Sequence, residues 1–115
     1  MEFTFRIAKK KDKEEIFFLV NKLAEHERKK PEEVNLTLDK IESHGFGRTR
    51  YFYVLLAEYK EKPAGYALFF FSYCASEAAP ILYVEELFVD ELYRNHGLGS
   101  ALLSNLAHIA IEKEC

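Results

Sequence analysis

The sequence predicts one α/β domain whose elements follow the order β-α-α-β-β-β-α. Two hydrophobic periods predict this order: apolar residues alternate with polar ones over the short segments, as in strands, and recur every three or four residues over the longer ones, as in helices. The chain has 115 residues, 49% of them apolar, and includes seven Tyr and ten Phe. This length and composition fit a single globular domain with a packed core, without repeats or an internal linker.

A strand and a long helix are predicted in the N-terminal quarter of the chain. The segment FTFRI alternates apolar and polar residues, which predicts a first strand ending near Ala8. The first helix should begin after Asp12, a residue type that favours the N-cap, and continue to about Glu27. Its apolar residues recur at helical spacing: Ile16, Leu19, Val20, Leu23 and Ala24.

A short helix and a hairpin follow. The segment LTLDKIESHGFG predicts a helix that begins after Thr37 and stops at Gly45 and Gly47. The aromatic and β-branched runs YFYVLLAEY and AGYALFFFSY, joined by KEKP, predict two antiparallel strands. The loop CASEAAP then leads into a further strand from Ile81 to Val89.

A third helix begins at a glycine turn, Arg94-Asn95-His96-Gly97-Leu98-Gly99. Gly97 and Gly99 let the backbone approach a ligand closely, and the first free amides of the helix favour an anion. A dinucleotide fingerprint needs a further glycine and a P-loop needs Gly-Lys-Ser/Thr, so both are weaker matches. The alternative is that the glycines only permit tight packing. The predicted buried stripe of this helix comprises Leu98, Leu102, Leu106, Ala107 and Ala110.

Composition and charge argue against several classes of function. The net charge of -3, with both signs spread along the chain, provides no basic face for nucleic acid and suits cationic substrates better. The apolar runs are too short to cross a bilayer and the N-terminus lacks the order of a signal peptide, so we interpret the protein as cytoplasmic, with no membrane partner. Cys74 and Cys115 have neither disulfide nor metal spacing, so no metal is expected.

The glycine turn resembles a known signature. Arg94-x-x-Gly97-x-Gly99 after a strand matches the acyl-CoA signature Gln/Arg-x-x-Gly-x-Gly/Ala of the GNAT family of N-acetyltransferases. The segments FRIA, LAEHE, HGFG, YFYVLLAE, LYVEELFV and YRNHGLGS resemble, in order, the spermidine/spermine and thialysine (diamine) N-acetyltransferase group. The resemblance covers the first two thirds of that family's domain.

The resemblance implies an enzyme that transfers an acetyl group from acetyl-CoA to a primary amine of a small polyamine-like or lysine-like substrate. The backbone of the last strand, at Leu87, Phe88 and Val89, would pair with the pantetheine arm of CoA. The turn would hold the CoA pyrophosphate, since helix N-termini favour anions and an arginine adds a positive charge. The sequence departs from its relatives at Asn95 and His96, where glycine and an aromatic residue are common. The turn residues assigned to CoA are Arg94, Asn95, His96, Gly97, Leu98, Gly99 and Ser100.

Two adjacent glutamates lie inside the apolar last strand. Burying a carboxylate without a partner is costly, and neighbouring strand positions should place Glu85 and Glu86 on opposite sides of the sheet. One of them should then face the amine site, and the other should lie near the second face or at a strand irregularity. The resemblance assigns amine binding and water-assisted deprotonation to this pair, with Glu85 as the relay base. Glu86 and Glu27 would then hold the distal ammonium of the substrate. The alternative is that these carboxylates form salt bridges or are solvated, as a surface His26 would be.

The resemblance also implies the GNAT fold, a mixed and mostly antiparallel sheet with flanking helices. We expect residues 1–115 to form a single GNAT domain that lacks its C-terminal part, with the general acid beyond Cys115, and we expect a homodimer. Two alternatives stay open. The chain could be a catalytically inactive CoA-binding or dimerisation module, or a protein-interaction domain with a fortuitous glycine turn. Tyr83 and Phe88 are expected in the core.

Overall fold

The computed structural model describes residues 1–115 and confirms the predicted order of elements. All three strand pairings are antiparallel, in the sheet order β1-β2-β3-β4, and a parallel strand, which would make the sheet mixed, is not among these four. The strands are β1 (Thr4–Ile7), β2 (Tyr53–Tyr59), β3 (Lys62–Cys74) and β4 (Ala79–Val89). The helices are α1 (Lys13–His26), α2 (Leu38–Phe46) and α3 (Leu98–Glu112).

The sheet separates two hydrophobic clusters. Helices α1 and α2 pack on one face through Ile16, Leu19 and Ile41, which meet Leu56 and Tyr66 of the sheet. Helix α3 packs on the other face, where its apolar side chains meet alternate residues of β2, β3 and β4. The buried leucines of α3 are Leu98, Leu102 and Leu106.

The buried stripe of α3 differs from the prediction at one position. Ala107 is exposed, whereas Ile109 is partly buried and packs against the α3-side cluster. Ile109 lies three residues after Leu106 and therefore shares its side of the helix, while Ala107 is turned away by one residue. Alanine fits both buried and exposed helix positions, so its presence alone did not identify the stripe.

The helix caps and the hairpin turn agree only in part with those predicted from the sequence. The Thr37 hydroxyl accepts a hydrogen bond from the Lys40 amide at 3.2 Å, which caps α2 as predicted. Asp12 precedes α1 but makes no capping hydrogen bond within it. The β2–β3 turn is tighter than KEKP suggested, because only Lys60 and Glu61 lie outside the strands, at φ of 49° and 65°.

The Asp12 carboxylate does not cap α1 but belongs to a charged cluster around Arg6. The Arg6 guanidinium makes two hydrogen bonds to Asp12, at 2.8 and 2.9 Å, and two to Glu58, at 2.9 and 3.0 Å. Asp12 and Glu58 are buried, and Arg6 holds the pKa of each below its usual range. This cluster joins β1, β2 and the start of α1.

Glu15 adds a third carboxylate that Arg6 does not bind. Its Oε2 atom is buried without a hydrogen-bond partner. Burial raises the pKa of Glu15 to about 7, and the adjacent Glu58 carboxylate contributes, because a protonated Glu15 can donate a hydrogen bond to it. The fold therefore favours neutral Glu15.

Replacing this residue should change how stability depends on pH. Because the folded pKa of Glu15 is raised from 4.5, its contribution is complete below about pH 4.5 and is lost as the pH rises through about 7. Glu15→Gln cannot ionise, so its unfolding free energy relative to wild type should improve between pH 5 and pH 8. The full linkage value is about 2.5 kcal/mol, and we expect about 1 kcal/mol because water screens the partly exposed carboxylate. Urea unfolding at both pH values measures this. Glu14→Gln, at an exposed neighbouring position, is the control, and a Glu15→Gln profile parallel to wild type would contradict the assignment.

Candidate active site

A β-bulge in β4 determines where the two strand glutamates lie. Glu86 pairs with Leu68 and Val84 pairs with Phe69, which leaves Glu85 as an extra residue in β4. Val84 and Leu87 both pack against the α3-side cluster. The two glutamates between them therefore both lie away from that face, and the prediction that they point to opposite sides is wrong. The bulge breaks the strict alternation on which that prediction depended.

Glu86 contacts a buried tyrosine. Its Oε1 atom accepts a hydrogen bond of 2.8 Å from the hydroxyl of Tyr66, which is completely buried. Glu86 also lines a cleft of about 190 Å³ between α1, the segment 33–36 and β4. We call this space the acidic cleft, because Glu27 and Glu33 line it together with Glu86.

The acidic cleft contains two of the three predicted amine-binding residues. Glu27 is exposed just after α1, and its carboxylate pairs with the Lys29 ammonium at 3.3 Å. Glu85 is exposed and does not line the cleft. Glu33 was missed from sequence, because a glutamate in a polar loop gives no signal of what it faces. Lys29 is the one positive side chain along the lining.

The glycine turn presents free backbone amides. Gly97 is the N-cap of α3 at φ 73°, in the left-handed region that glycine adopts without strain. No backbone amide from Asn95 to Ser100 donates a hydrogen bond within the protein. A Cβ atom placed on Gly97 would meet nothing within 4 Å, so the space beside the turn is open. These donors and the helix dipole make the turn suited to an anion.

Arg94 is fixed by β4. Its Nε atom donates to the Val89 carbonyl at 3.0 Å, and its guanidinium lies 5.8 Å from the centre of the Phe88 ring. Its two terminal nitrogens make no hydrogen bond, which leaves them available to a ligand. Arg94 lines a second cleft, of about 340 Å³, with the exposed His26 and Lys22.

The predicted CoA strand is an edge strand of this sheet. Strand β4 pairs only with β3, so the other edge of Leu87, Phe88 and Val89 has no strand partner. Gly65 lies opposite Val89, where a Cβ atom would come within 2.6 Å of the Phe88 carbonyl oxygen, so only glycine permits this close pairing. Phe88 is buried as expected.

The expectation that Tyr83 lies in the core is wrong. It is 51% exposed and stacks on Phe70 at 5.0 Å between ring centres. This pair lies on β3 and β4 beyond the reach of α1 and α2, so the sheet covers only one side of it. An aromatic residue in a strand does not by itself indicate burial.

No group of three or more His, Cys, Asp or Glu side chains is arranged to hold a metal ion. None of the helices combines the length and the apolarity that crossing a membrane requires.

Comparisons with known proteins identify the family of the chain. The sequence pattern of the Acetyltransferase (GNAT) family matches residues 11–115. The chain belongs to this family. A bovine thialysine N-epsilon-acetyltransferase is 33% identical to this GNAT chain over an alignment of 118 positions, which covers 96% of the chain and 68% of the bovine protein. A human spermidine/spermine N(1)-acetyltransferase-like protein 1 is 33% identical over an alignment of 120 positions, which covers 98% of the chain and 17% of that protein.

Solved structures confirm the GNAT fold. An aminoglycoside acetyltransferase from an uncultured soil metagenomic sample matches with a TM-score of 0.83 at 15% identity, over 100% of this chain and 76% of that one. A predicted acetyltransferase with acetyl-CoA from Clostridium acetobutylicum matches with a TM-score of 0.77 at 15% identity, over 96% and 75% of the two chains. The resemblance stated from sequence and the assignment as an acetyltransferase are therefore confirmed.

The two turn glycines should respond differently to substitution. Gly97→Ala forces a Cβ into the left-handed region and should lower the unfolding free energy by about 1 kcal/mol. Gly99→Ala is the matched control: its φ is not positive and its Cβ would meet only Leu87 Cδ2 at an ordinary 4.0 Å, so stability should stay the same or rise. Urea unfolding of both variants measures this, and equal losses would contradict the geometry of the turn.

Proposed function

We propose that this GNAT protein transfers an acetyl group from acetyl-CoA to a primary amine of a small substrate that carries a second positive charge. The observation that carries the proposal is the acidic cleft, in which Glu27, Glu33 and Glu86 face one space beside the strand that leads into the glycine turn. The bovine relative is named as a thialysine acetyltransferase and the human one as a protein like spermidine/spermine acetyltransferases, and both names are consistent with a substrate of this kind.

The acetyl-CoA end of the proposed site is the turn with its preceding strand. The free amides of residues 95–100 would bind the pyrophosphate oxygens, and the terminal nitrogens of Arg94 would add charge-assisted hydrogen bonds. The unpaired edge of Leu87–Val89 offers backbone donors and acceptors to the amide-containing pantetheine arm. Together these groups would orient the thioester beside the bulge.

The substrate's ammonium group must lose a proton before the amine can react. An alkylammonium has no lone pair, so it must lose a proton before its nitrogen attacks the thioester carbonyl carbon and the C–S bond breaks. Glu85 is the carboxylate we assign to accept that proton through water, because the bulge exposes it beside Glu86. Glu86 and Glu27, with Glu33, would hold the distal ammonium. The departing thiolate takes up a proton, so the products are the acetylated amine and free CoA.

Acetyl-CoA should bind at the glycine turn and raise the melting temperature. A ligand at about 100 times its Kd stabilises the native state by about 2.7 kcal/mol. Gly99→Val, which adds bulk beside the free amides, should weaken binding about tenfold or more. Ser104→Val, on the exposed face of the same helix, is the control. Thermal shift titration measures both, and equal affinity in the two variants would place the ligand elsewhere. Acetyl-CoA binding without acetyl transfer to any amine would favour the inactive binding module.

Replacing the site glutamates one at a time should distinguish residues that bind the substrate, which affect KM, from the residue that accepts the proton, which affects kcat. Glu86→Gln and Glu27→Gln should raise KM for spermidine about tenfold with little effect on a monoamine, because each loses one charge-assisted contact with the distal ammonium. Glu85→Gln should instead lower kcat. Glu32→Gln, next to Glu33 but outside the cleft lining, is the control. Free-thiol release from acetyl-CoA measures all four variants, and an enzyme that is equally active with a singly charged monoamine and with spermidine would exclude this substrate class.

A further inference from the structure

A completely buried tyrosine lies beneath the acidic cleft. Tyr66 is on β3 in register with Phe88 of β4, and the two ring centres are 6.2 Å apart. Its ring belongs to the cluster that α1 and α2 cover, whereas its hydroxyl reaches Glu86 Oε1 at 2.8 Å. Tyr66 therefore connects the hydrophobic core to a carboxylate of the cleft.

We propose that Tyr66 is a positioning residue that fixes one oxygen of Glu86 and leaves the other to bind the substrate's distal ammonium. This role rests on the proposed function. Glu86 Oε1 accepts the tyrosine hydrogen bond, while Oε2 has no hydrogen-bond partner in the protein. The carboxylate is thereby held in one rotamer with a free oxygen, so less side-chain entropy is lost when a cation binds.

The chemistry of the pair supports positioning over simple packing. A phenylalanine would fill the same apolar space, and a buried tyrosine hydroxyl needs a partner, which Glu86 provides. Burial first, and then the charges of Glu86 and Glu27, raise the pKa of Tyr66, so its hydroxyl stays protonated and remains a donor. A neutral donor fixes the carboxylate without cancelling its negative charge, which a lysine or arginine would do.

The backbone also limits where the Tyr66 and Glu86 side chains can lie. Tyr66 is one residue before Ala67, which pairs with Leu87, and Glu86 is the first residue after the bulge. Both side chains therefore start from paired strand positions rather than from a loop. Glu27 and Glu33, by contrast, project from exposed positions outside the sheet, and Glu27 pairs with Lys29. Glu86 is thus the anchored carboxylate of the cleft.

The test compares two hydroxyl deletions on the same strand. Calorimetry would measure spermidine binding to the protein saturated with CoA, which cannot donate an acetyl group. In Tyr66→Phe, Kd for spermidine should rise about tenfold, and KM should rise with kcat unchanged. Tyr73→Phe, at an exposed position of β3, should match wild type.

A double-variant cycle separates positioning from a structural role. In a Glu86→Ala background, adding Tyr66→Phe should change Kd no further, because no carboxylate remains to be held. Unchanged Kd in Tyr66→Phe, or an equal loss in both backgrounds, would overturn the positioning role while leaving the proposed function intact. Wild-type protein that neither binds spermidine nor acetylates it would overturn the proposed function and this role with it.

Discussion

The bulge at Glu85 allows β4 to place apolar side chains on the face of the sheet that α3 covers and carboxylates on the opposite face. On the α3 side, Val84, Leu87 and Val89 pack against apolar side chains. On the other side, the strand must expose two carboxylates, one of them to the acidic cleft, and still bury Phe88. Strict alternation would turn one of the two glutamates toward α3, at the cost of an unpaired buried charge. One extra residue removes that conflict and lets Glu86 reach both the Tyr66 hydroxyl and the acidic cleft.

Carboxylates occur in two environments that differ in their counter-charges. At the cluster beneath α1, Asp12 and Glu58 share a single guanidinium through four hydrogen bonds, so their charge is largely compensated within the protein. In the acidic cleft, Glu86 receives only a neutral hydroxyl and Glu27 receives an exposed lysine. Exposed ion pairs are weak, so a cationic ligand can compete with Lys29. The first group stabilises the fold, whereas the second retains negative potential for a ligand.

Sequence patterns specified the elements of this fold better than its irregularities. Periodicity located all four strands and three helices, since the core requires apolar residues at regular spacing. It could not locate the bulge, because an added residue changes the register without changing the composition of LYVEELFV. Glu27 and Glu86 were predicted to act together and do line one cleft, whereas Glu33 and Tyr66 were not predicted, because their positions depend on contacts between segments distant in the chain.

The sheet order has a consequence for the order of folding. Strands β2, β3 and β4 form a meander of sequential neighbours joined by short turns, so their contacts are local in sequence and can form early. Strand β1 pairs with β2 across the whole α1–α2 segment and closes a much longer loop, which is slower. Glu85 and Glu86 thus belong to the early part of the chain's assembly and Glu27 to the late part. The acidic cleft between Glu86 and Glu27 is completed only when α1 docks, so partly folded chains would carry the strand glutamates without the cleft.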